Sequence, residues 1–424
     1  MKKINVRYWI SLFVSIAVAA VIISACNDDD DGPAGLTAVS VTADGIPLDE
    51  ATSADNVPVD AEILVEFDKD VDTTGAVITL MRGGNEAEIE IEVSGNEITI
   101  RPVNNLDPGS DYTLRIEDVT ATDGGSFNGI QLTFTTAGKS IAEAPKEGNL
   151  VAFWLFDGSA EERSGVFTVS AEENIEYTTD RAGFENSAAL FNGDNSIIEV
   201  DRGDSLLSQD WTLSFWLMLD TVGHVDANGN RAGHFVMGVG AFHGFQVEFS
   251  GNGGSMKLAA RYSLEDGSTI GNDFFCNADG MDANNGGFEA IEFEADLSPQ
   301  GGMSAIIPQN WSHIVLTYNS ESNTRSFYLN GSLVQTDNLN NAPALAGING
   351  MTFDASGTAA TIGNKLAFGF AFDRETNLWD NEPWGNFDVE TSNHFKGALD
   401  DVRFFNTFYT TSDVQALYNA EKAD

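Results

Sequence analysis

The sequence predicts an all-β protein made of two successive sandwiches: an immunoglobulin-like β-sandwich followed by a larger jelly roll. Three observations lead there. Apolar residues recur with period two from about Ala38 to Ala137, a second and aromatic-rich series of strand-like runs follows from residue 149 to 424, and turn residues punctuate both.

In the first region, Glu88-Ile89-Glu90-Ile91-Glu92-Val93 places apolar side chains on one face and carboxylates on the other, and Ser94-Gly95-Asn96 turns the chain into Ile98 and Ile100. The stretch Leu106 to Leu114 sets a tight turn with Pro108 and Gly109, from which Tyr112 can tie back to the corner. With Pro58, Phe67, Tyr112 and Phe134-Thr135-Thr136, residues 38–137 resemble the bacterial immunoglobulin-like domains of surface proteins. That resemblance implies a spacing or presenting module. Residues 138–148, containing Lys139, Ser140, Pro145 and Lys146, read as a linker.

The second region, residues 149–424, has strand-like runs at Leu150 to Phe156, Ala188 to Phe191, Ile197 to Val200, Trp211 to Leu219, His313 to Tyr318, Ser326 to Leu329 and Phe395 to Phe405. Asn330-Gly331 is a two-residue hairpin signal. Ser412 and Gln415, at capping-box spacing, open a short helix to about Glu421. Two interruptions, 263–308 and 373–393, are long enough to be either functional or disordered. Trp154, Trp211, Trp216 and Trp311 lie in strand-like runs and are expected in the core.

Five phrases in order, around Trp211–Leu217, Trp311–Tyr318, Phe327–Gly331, Ile362–Asn364 and Phe395–Asn406, resemble the laminin G-like family of concanavalin A-like jelly rolls. The departures are Asn319, where the family often has Asp, and Thr407-Phe408-Tyr409, where it often has Arg-Ala-Leu. In the final strand, alternation puts Asp400 on the face of Val402 and Phe404, and an inward carboxylate is costly unless paired or metal-bound. The resemblance implies a structural calcium where the first and last strands meet, held by Asp157, Asp194 and Asp400, since calcium takes six to eight oxygen ligands. The alternative is that Asp157 and Asp194 are ordinary turn acids and Asp400 caps backbone amides. Asp226-Ala-Asn228-Gly-Asn230 and Asp279-Gly-Met-Asp282-Ala-Asn284 are weaker calcium candidates, neither in EF-hand order.

Within the second interruption, Trp379-Asp380-Asn381-Glu382-Pro383-Trp384 sets two indoles five residues apart on a polar loop. Indoles stack on the apolar face of a pyranose while Asp380 and Asn381 take its hydroxyls, so Trp379, Trp384, Asp380 and Asn381 are the candidate glycan site. The alternative is that the indoles fold back over the sandwich as a plug.

Composition limits the partners. The chain carries 21 basic and 65 acidic residues, a net charge of −44, and no basic patch of the kind a phosphate backbone requires, so nucleic acid is not expected. Catalysis is not expected either. Glu292, Glu294 and Asp296 lack the order of a concanavalin-like hydrolase triplet, and the five histidines are scattered.

At the N-terminus, Lys2, Lys3 and Arg7 precede an apolar run from Trp9 to Ile23, the plan of a secretory signal over residues 1–25. Ile23-Ser24-Ala25-Cys26 resembles the lipobox at which bacterial lipoproteins are cleaved and acylated, which implies a lipidated Cys26. Cleavage there removes three basic residues and takes the net charge from −44 to −47. The acidic tether, residues 26–37, begins with a run similar to the export signal of surface lipoproteins in the Bacteroidota. The expected protein is a lipid-anchored outer-membrane lipoprotein that faces outward and binds polysaccharide beside an outer-membrane transporter. The runner-up is an adhesin or scaffold that binds a protein. With Cys26 acylated only Cys276 remains, so core packing rather than a disulfide must hold the folds.

Overall fold

The computed structural model describes residues 34–276 and 291–422; Cys26, the acidic run after it and the loop containing Asp279 lie outside these. The chain divides into two compact units, one of residues up to 105 with 111–134, the other of 106–110 with 135 onward. Both are β-rich, as the pattern of period-two runs predicts.

The first unit is a sandwich of two five-stranded sheets. One runs in the order Ile46–Pro47, Ala38–Ala43, Ile63–Phe67, Glu97–Pro102, Ile89–Ser94, the other Ala54–Val57, Ile130–Thr136, Asp111–Glu117, Val77–Arg82, Asn85–Ala87. Period-two burial builds its core: Ile63, Val65 and Phe67 face Leu114, Ile116, Leu132 and Phe134, all fully buried. Each such side chain contributes about 1.5–3 kcal/mol on leaving water. Tyr112 is buried and stacks on Phe134 with ring centroids 5.8 Å apart. The alternation seen at Ile89–Ser94 does form a strand, but the strand is a sheet edge, and Ile91 and Val93 stay 44% and 40% exposed. The interleaved Glu90 and Glu92 suit such an edge, because charge discourages pairing with another chain.

The second unit is a larger two-layer sandwich. Its first sheet has Lys396–Phe405 and Trp211–Leu219 at the centre, joined on one side by Ala188–Asn192 and on the other by Trp311–Asn319, Thr324–Leu329 and Ser332–Asn338; Leu150–Trp154 also pairs with Lys396–Phe405. Its second sheet runs Val169–Glu173, Ile197–Val200, Leu366–Phe368, His234–Val239, Phe245–Phe249, Met256–Leu264, Thr269–Cys276. Between them Trp154, Phe156, Phe191, Phe215, Phe245, Phe368 and Phe404 form one aromatic core. Trp154, Trp211 and Trp216 are buried as expected, whereas Trp311 is half-buried. Asn330 and Gly331 have φ of 50° and 77°, the double positive φ of a primed hairpin turn. A Cβ at Gly331 would also lie 2.6 Å from the Tyr418 ring, so glycine is required there twice over.

Simple alternation fails at one place. Asp401 has φ 46°, and the register against Trp211–Leu219 shifts between Arg403 opposite Ser214 and Asp400 opposite Trp216, a β-bulge. The extra residue turns Val402 and Phe404 into the inter-sheet core while Asp400 shares the outer face with Trp216. The expectation of an Asp400 side chain among core positions is therefore corrected.

The segment read as a linker is instead a strap on that outer face. Lys139 Nζ lies 2.9 Å from Asp400, 3.1 Å from Asp401 and 3.3 Å from Asp180, and Arg181 pairs with both Asp400 and Asp401. Ile141 and Ala144 are buried, the Tyr409 hydroxyl donates to the Pro145 carbonyl, and Lys146 pairs with Asp413 at 2.9 Å. Beside the strap lies the helix Thr411–Glu421. Its capping box starts two residues before the expected Ser412: Thr410 Oγ1 accepts from the Asp413 N–H, and Asp413 Oδ2 accepts from the Thr410 N–H at 2.8 Å. At its far end Glu421 accepts from Trp216 Nε1 at 2.8 Å and pairs with Arg403.

Removing one partner of a buried charge pair leaves the other uncompensated, at a cost of about 3–5 kcal/mol. Lys139→Ala is expected to lower the unfolding free energy of the second unit by about that amount in urea titrations. A loss under about 1 kcal/mol would mean the strap is not structural.

Candidate functional site

A groove of ≈ 820 Å³ lies on the outer face of the second sheet. Its floor follows from alternation. In Phe245–Phe249, Met256–Leu264 and Thr269–Cys276 the residues Phe245, Val247, Met256, Leu258, Ala260 and Phe274 enter the core, which turns Gln246, Glu248, Lys257, Ala259, Arg261, Asp273 and Phe275 outward. Lys257 Nζ sits 2.6 Å from Glu248 Oε1 and 3.9 Å from Asp273 Oδ2, and 5.8 Å above the Phe275 ring. Gln246 donates from Nε2 to Glu248 Oε2 at 2.7 Å. Asn272, at the edge, is held by the buried Arg325, whose guanidinium donates to Asn272 Oδ1 at 2.6 Å and to Asp337 at 2.6 Å.

The other wall comes from the interruption at 373–393, which is ordered. Its entry is pinned by the buried Asp373, which accepts from the Glu375 N–H at 3.0 Å, the Thr376 hydroxyl at 3.1 Å and the Lys365 N–H at 3.3 Å. A Cβ at Gly363 would lie 2.0 Å from Asp373 Oδ2, so the close approach requires glycine. Glu199 clamps Arg374 through its N–H at 2.7 Å and its guanidinium at 3.1 Å. At the exit, Asn393 accepts from the Gly233 N–H at 2.8 Å and donates its own N–H to the Trp384 carbonyl at 2.9 Å. Between these feet Leu378, Trp379 and Phe387 pack against Phe235, Phe370 and Phe372.

The four candidate glycan residues separate. Trp379 and Trp384 both line the groove, with ring centroids 4.9 Å apart. Trp379 is half-buried and stacks on Phe235 at 5.7 Å, so it serves as wall and plug at once; Trp384 is 41% exposed. Asp380 and Asn381 point away: both are exposed, neither lines the groove, and the Asp380 carbonyl caps Asn386 Nδ2 at 2.8 Å. The polar residues that line the groove with the indoles are Gln246, Glu248, Lys257, Arg261, Asn272 and Asp273 on the sheet. The period-two alternation of Phe245–Phe249 and Met256–Leu264 was the available signal for most of them.

The calcium residues do not assemble. Asp400 is surrounded by Lys139 and Arg181, protein cations standing where a metal would have to stand. Asp157 lies near the same cluster with its carboxylate buried; burial first, opposed by the charge of Lys139 and helped by that of Asp401, leaves its carboxyl at about 6. Asp194 is exposed in a turn, where its N–H donates to Asn192 Oδ1 at 2.8 Å. Among the described residues no group of three or more His, Cys, Asp or Glu could hold a metal ion. The Asp157, Asp194 and Asp400 set does not fit calcium. Asp226 is closed in a local turn, its Oδ1 accepting from the Asn228 and Asn230 N–H groups at 2.9 and 2.8 Å. Cys276 is a buried free thiol that burial pushes well above its ordinary range, consistent with an inert core residue.

Comparison with known proteins bears on the first unit. Residues 38–136 match the family described as a bacterial Ig-like domain. That span coincides with the first sandwich. No curated protein matches the chain. Among solved structures, the binding domain of Paraclostridial Mosquitocidal Protein 1 aligns over 64% of this chain and 52% of its own, at 16% identity and TM-score 0.41. The botulinum neurotoxin serotype D binding domain aligns over 64% and 51%, at 11% identity and TM-score 0.37. This chain thus spans about half the length of those structures, and a likeness that distant says nothing of what it binds.

His394 supports the indole loop. Its Nε2 lies 2.9 Å from the Phe387 carbonyl, its ring is 4.8 Å from Phe370, and burial holds its pKa at about 4. The unfolded state, with the ordinary value near 6.5, binds the proton first, so His394 costs stability as pH falls from 6.5 toward 4. Across that window it contributes a slope of about 1.4 kcal/mol per pH unit. His394→Asn is expected to flatten the dependence of unfolding free energy on pH by about that slope between pH 6 and 4.5; an unchanged slope would mean that His394 is protonated in the fold.

Proposed function

We propose that this protein is a lipid-anchored surface lipoprotein that binds polysaccharide without transforming it, capturing glycan beside an outer-membrane transporter, with the Ig-like unit as spacer. The observation that carries the binding reading is the groove itself, in which an exposed indole stands over a floor of fixed amide, carboxylate and guanidinium groups. Aromatic faces with a few oriented polar groups are what a sugar ring requires, apolar on one side and hydroxylated at its rim. Lys257 pairs closely with Glu248 and lies 3.9 Å from Asp273, an arrangement that supports holding a ligand rather than transferring a proton to it. The anchoring half of the proposal rests on the signal-like N-terminus, Cys26 and the acidic run after it.

Two experiments test these halves separately. On a glycan array, Trp384→Ala is expected to weaken binding at least about tenfold, about 1.4 kcal/mol, with the melting temperature kept because the indole is exposed, while Asp380→Ala and Asn381→Ala leave binding unchanged. No glycan bound, beside successful capture of a protein, would replace this reading by the adhesin. In cells, Cys26→Ser is expected to abolish incorporation of labelled palmitate and release the protein from the membrane fraction; retained label would remove the anchor.

A further inference from the structure

One row of side chains crosses the groove floor from strand to strand. Phe235 is opposite Glu248, Glu248 is opposite Lys257, and Lys257 is opposite Phe275, so the four share one face of four neighbouring strands, in line across the sheet. Contacts run along the row. Trp384 has its ring centroid 6.4 Å from that of Phe235, Glu248 meets Lys257 at 2.6 Å, and Lys257 Nζ sits 5.8 Å from the Phe275 ring centroid. Aromatic rings thus stand at both ends, with a charged pair between them.

The core does not account for Phe275. Its chain neighbours Phe274 and Cys276 enter the core, whereas Phe275 turns outward and stays 38% exposed. Among the described residues the exposed phenylalanine and tryptophan rings are Phe184, Phe275 and Trp384, and the last two line this groove. An aromatic ring left in water forgoes roughly 1.5–3 kcal/mol of burial, part of which a stacked ligand would recover. The middle of the row narrows the kind of ligand. Lys257 and Glu248 neutralise each other, and Gln246 Nε2 holds the second Glu248 oxygen at 2.7 Å, so the pair is fixed and presents no net charge. An ammonium and a carboxylate still keep donor and acceptor capacity beyond one mutual bond, which suits hydroxyls. Strands lie about 4.8 Å apart, which sets Phe235 and Phe275 three spacings, or about 14 Å, from each other. A single sugar ring cannot cover that distance, whereas a run of several in an extended chain does.

We infer, resting on the glycan reading of this groove, that Phe275 is a second stacking position and that the ligand is a neutral glycan segment lying across the strands from Trp384 to Phe275, not a single sugar held at the indoles alone.

The test titrates the full chain with cello-, xylo- and manno-oligosaccharides, from disaccharide to hexasaccharide, by calorimetry. The unmodified protein is expected to bind the hexasaccharide of at least one series at least about tenfold more tightly than its disaccharide. Phe275→Ala is expected to weaken hexasaccharide binding at least about tenfold and leave disaccharide binding unchanged, while Phe275→Trp keeps the dependence on length. If Phe275→Ala fails to fold, the length dependence of the unmodified protein decides alone. A disaccharide bound as tightly as the hexasaccharide, or hexasaccharide binding untouched by Phe275→Ala, with Trp384→Ala still weakening it, would overturn the second stacking position and leave the groove as the site. Binding that survives Trp384→Ala unchanged, or no member of any series bound, would remove the groove reading and this inference with it.

Discussion

The second unit depends on how it neutralises charge on the outer face of its first sheet. Asp400 and Asp401 are brought side by side there by the bulge, and Asp180 and Glu421 add further carboxylates. Such a face is tenable only because Lys139, Arg181 and Arg403 are delivered to it, from the strap, from the turn before Ala188–Asn192 and from the last strand itself. Lys139 and Asp400 are 261 residues apart in sequence, so their pairing closes nearly the whole unit on itself. The strap and the terminal helix then bury Val315, Tyr328, Phe405 and Tyr409 between them. With that face sealed, the groove on the opposite sheet is free to serve a ligand.

Much of the first sheet was legible in sequence, and the second mostly was not. Strands at Trp211–Leu219, Thr324–Leu329 and Lys396–Phe405 announce themselves through aromatic and β-branched runs bounded by turns such as Asn330-Gly331. His234–Val239 is buried along its whole length and shows no alternation. Thr269–Cys276 is polar enough to pass for loop, yet it pairs over eight residues with Met256–Leu264. Since the groove floor is built from that sheet, only its indole wall was picked out in sequence, although Phe245–Phe249 and Met256–Leu264 do alternate. The polar half of the site was sought beside Trp379 and Trp384 in sequence, at Asp380 and Asn381, whereas the fold supplies it from strands more than a hundred residues upstream.

Asp400 shows the limit of periodicity most clearly. Period two assigns every second residue to one face, and a single residue with positive φ, Asp401, reverses the assignment for everything on one side of it. Nothing local to Asp400 reveals the reversal. A charged residue expected to need a metal instead meets Lys139, which sequence had assigned to a linker, and Arg181 from the turn before Ala188–Asn192. The strap was misread for a related reason: short, polar and Pro-containing segments have no periodic signature, and their burial is set entirely by what they land on.

The feet of the indole loop carry a consequence of their own. Asp373 with Gly363 at one end and Asn393 with Gly233 at the other fasten the excursion to the sandwich through backbone groups and one obligatory glycine. Between those anchor points the exposed residues such as Asp380 and Asn381 can be exchanged without disturbing the sheet beneath, whereas Leu378, Trp379 and Phe387 pack against Phe235, Phe370 and Phe372. Relatives of this chain that keep both attachments and those aromatic contacts could vary the exposed residues between them freely.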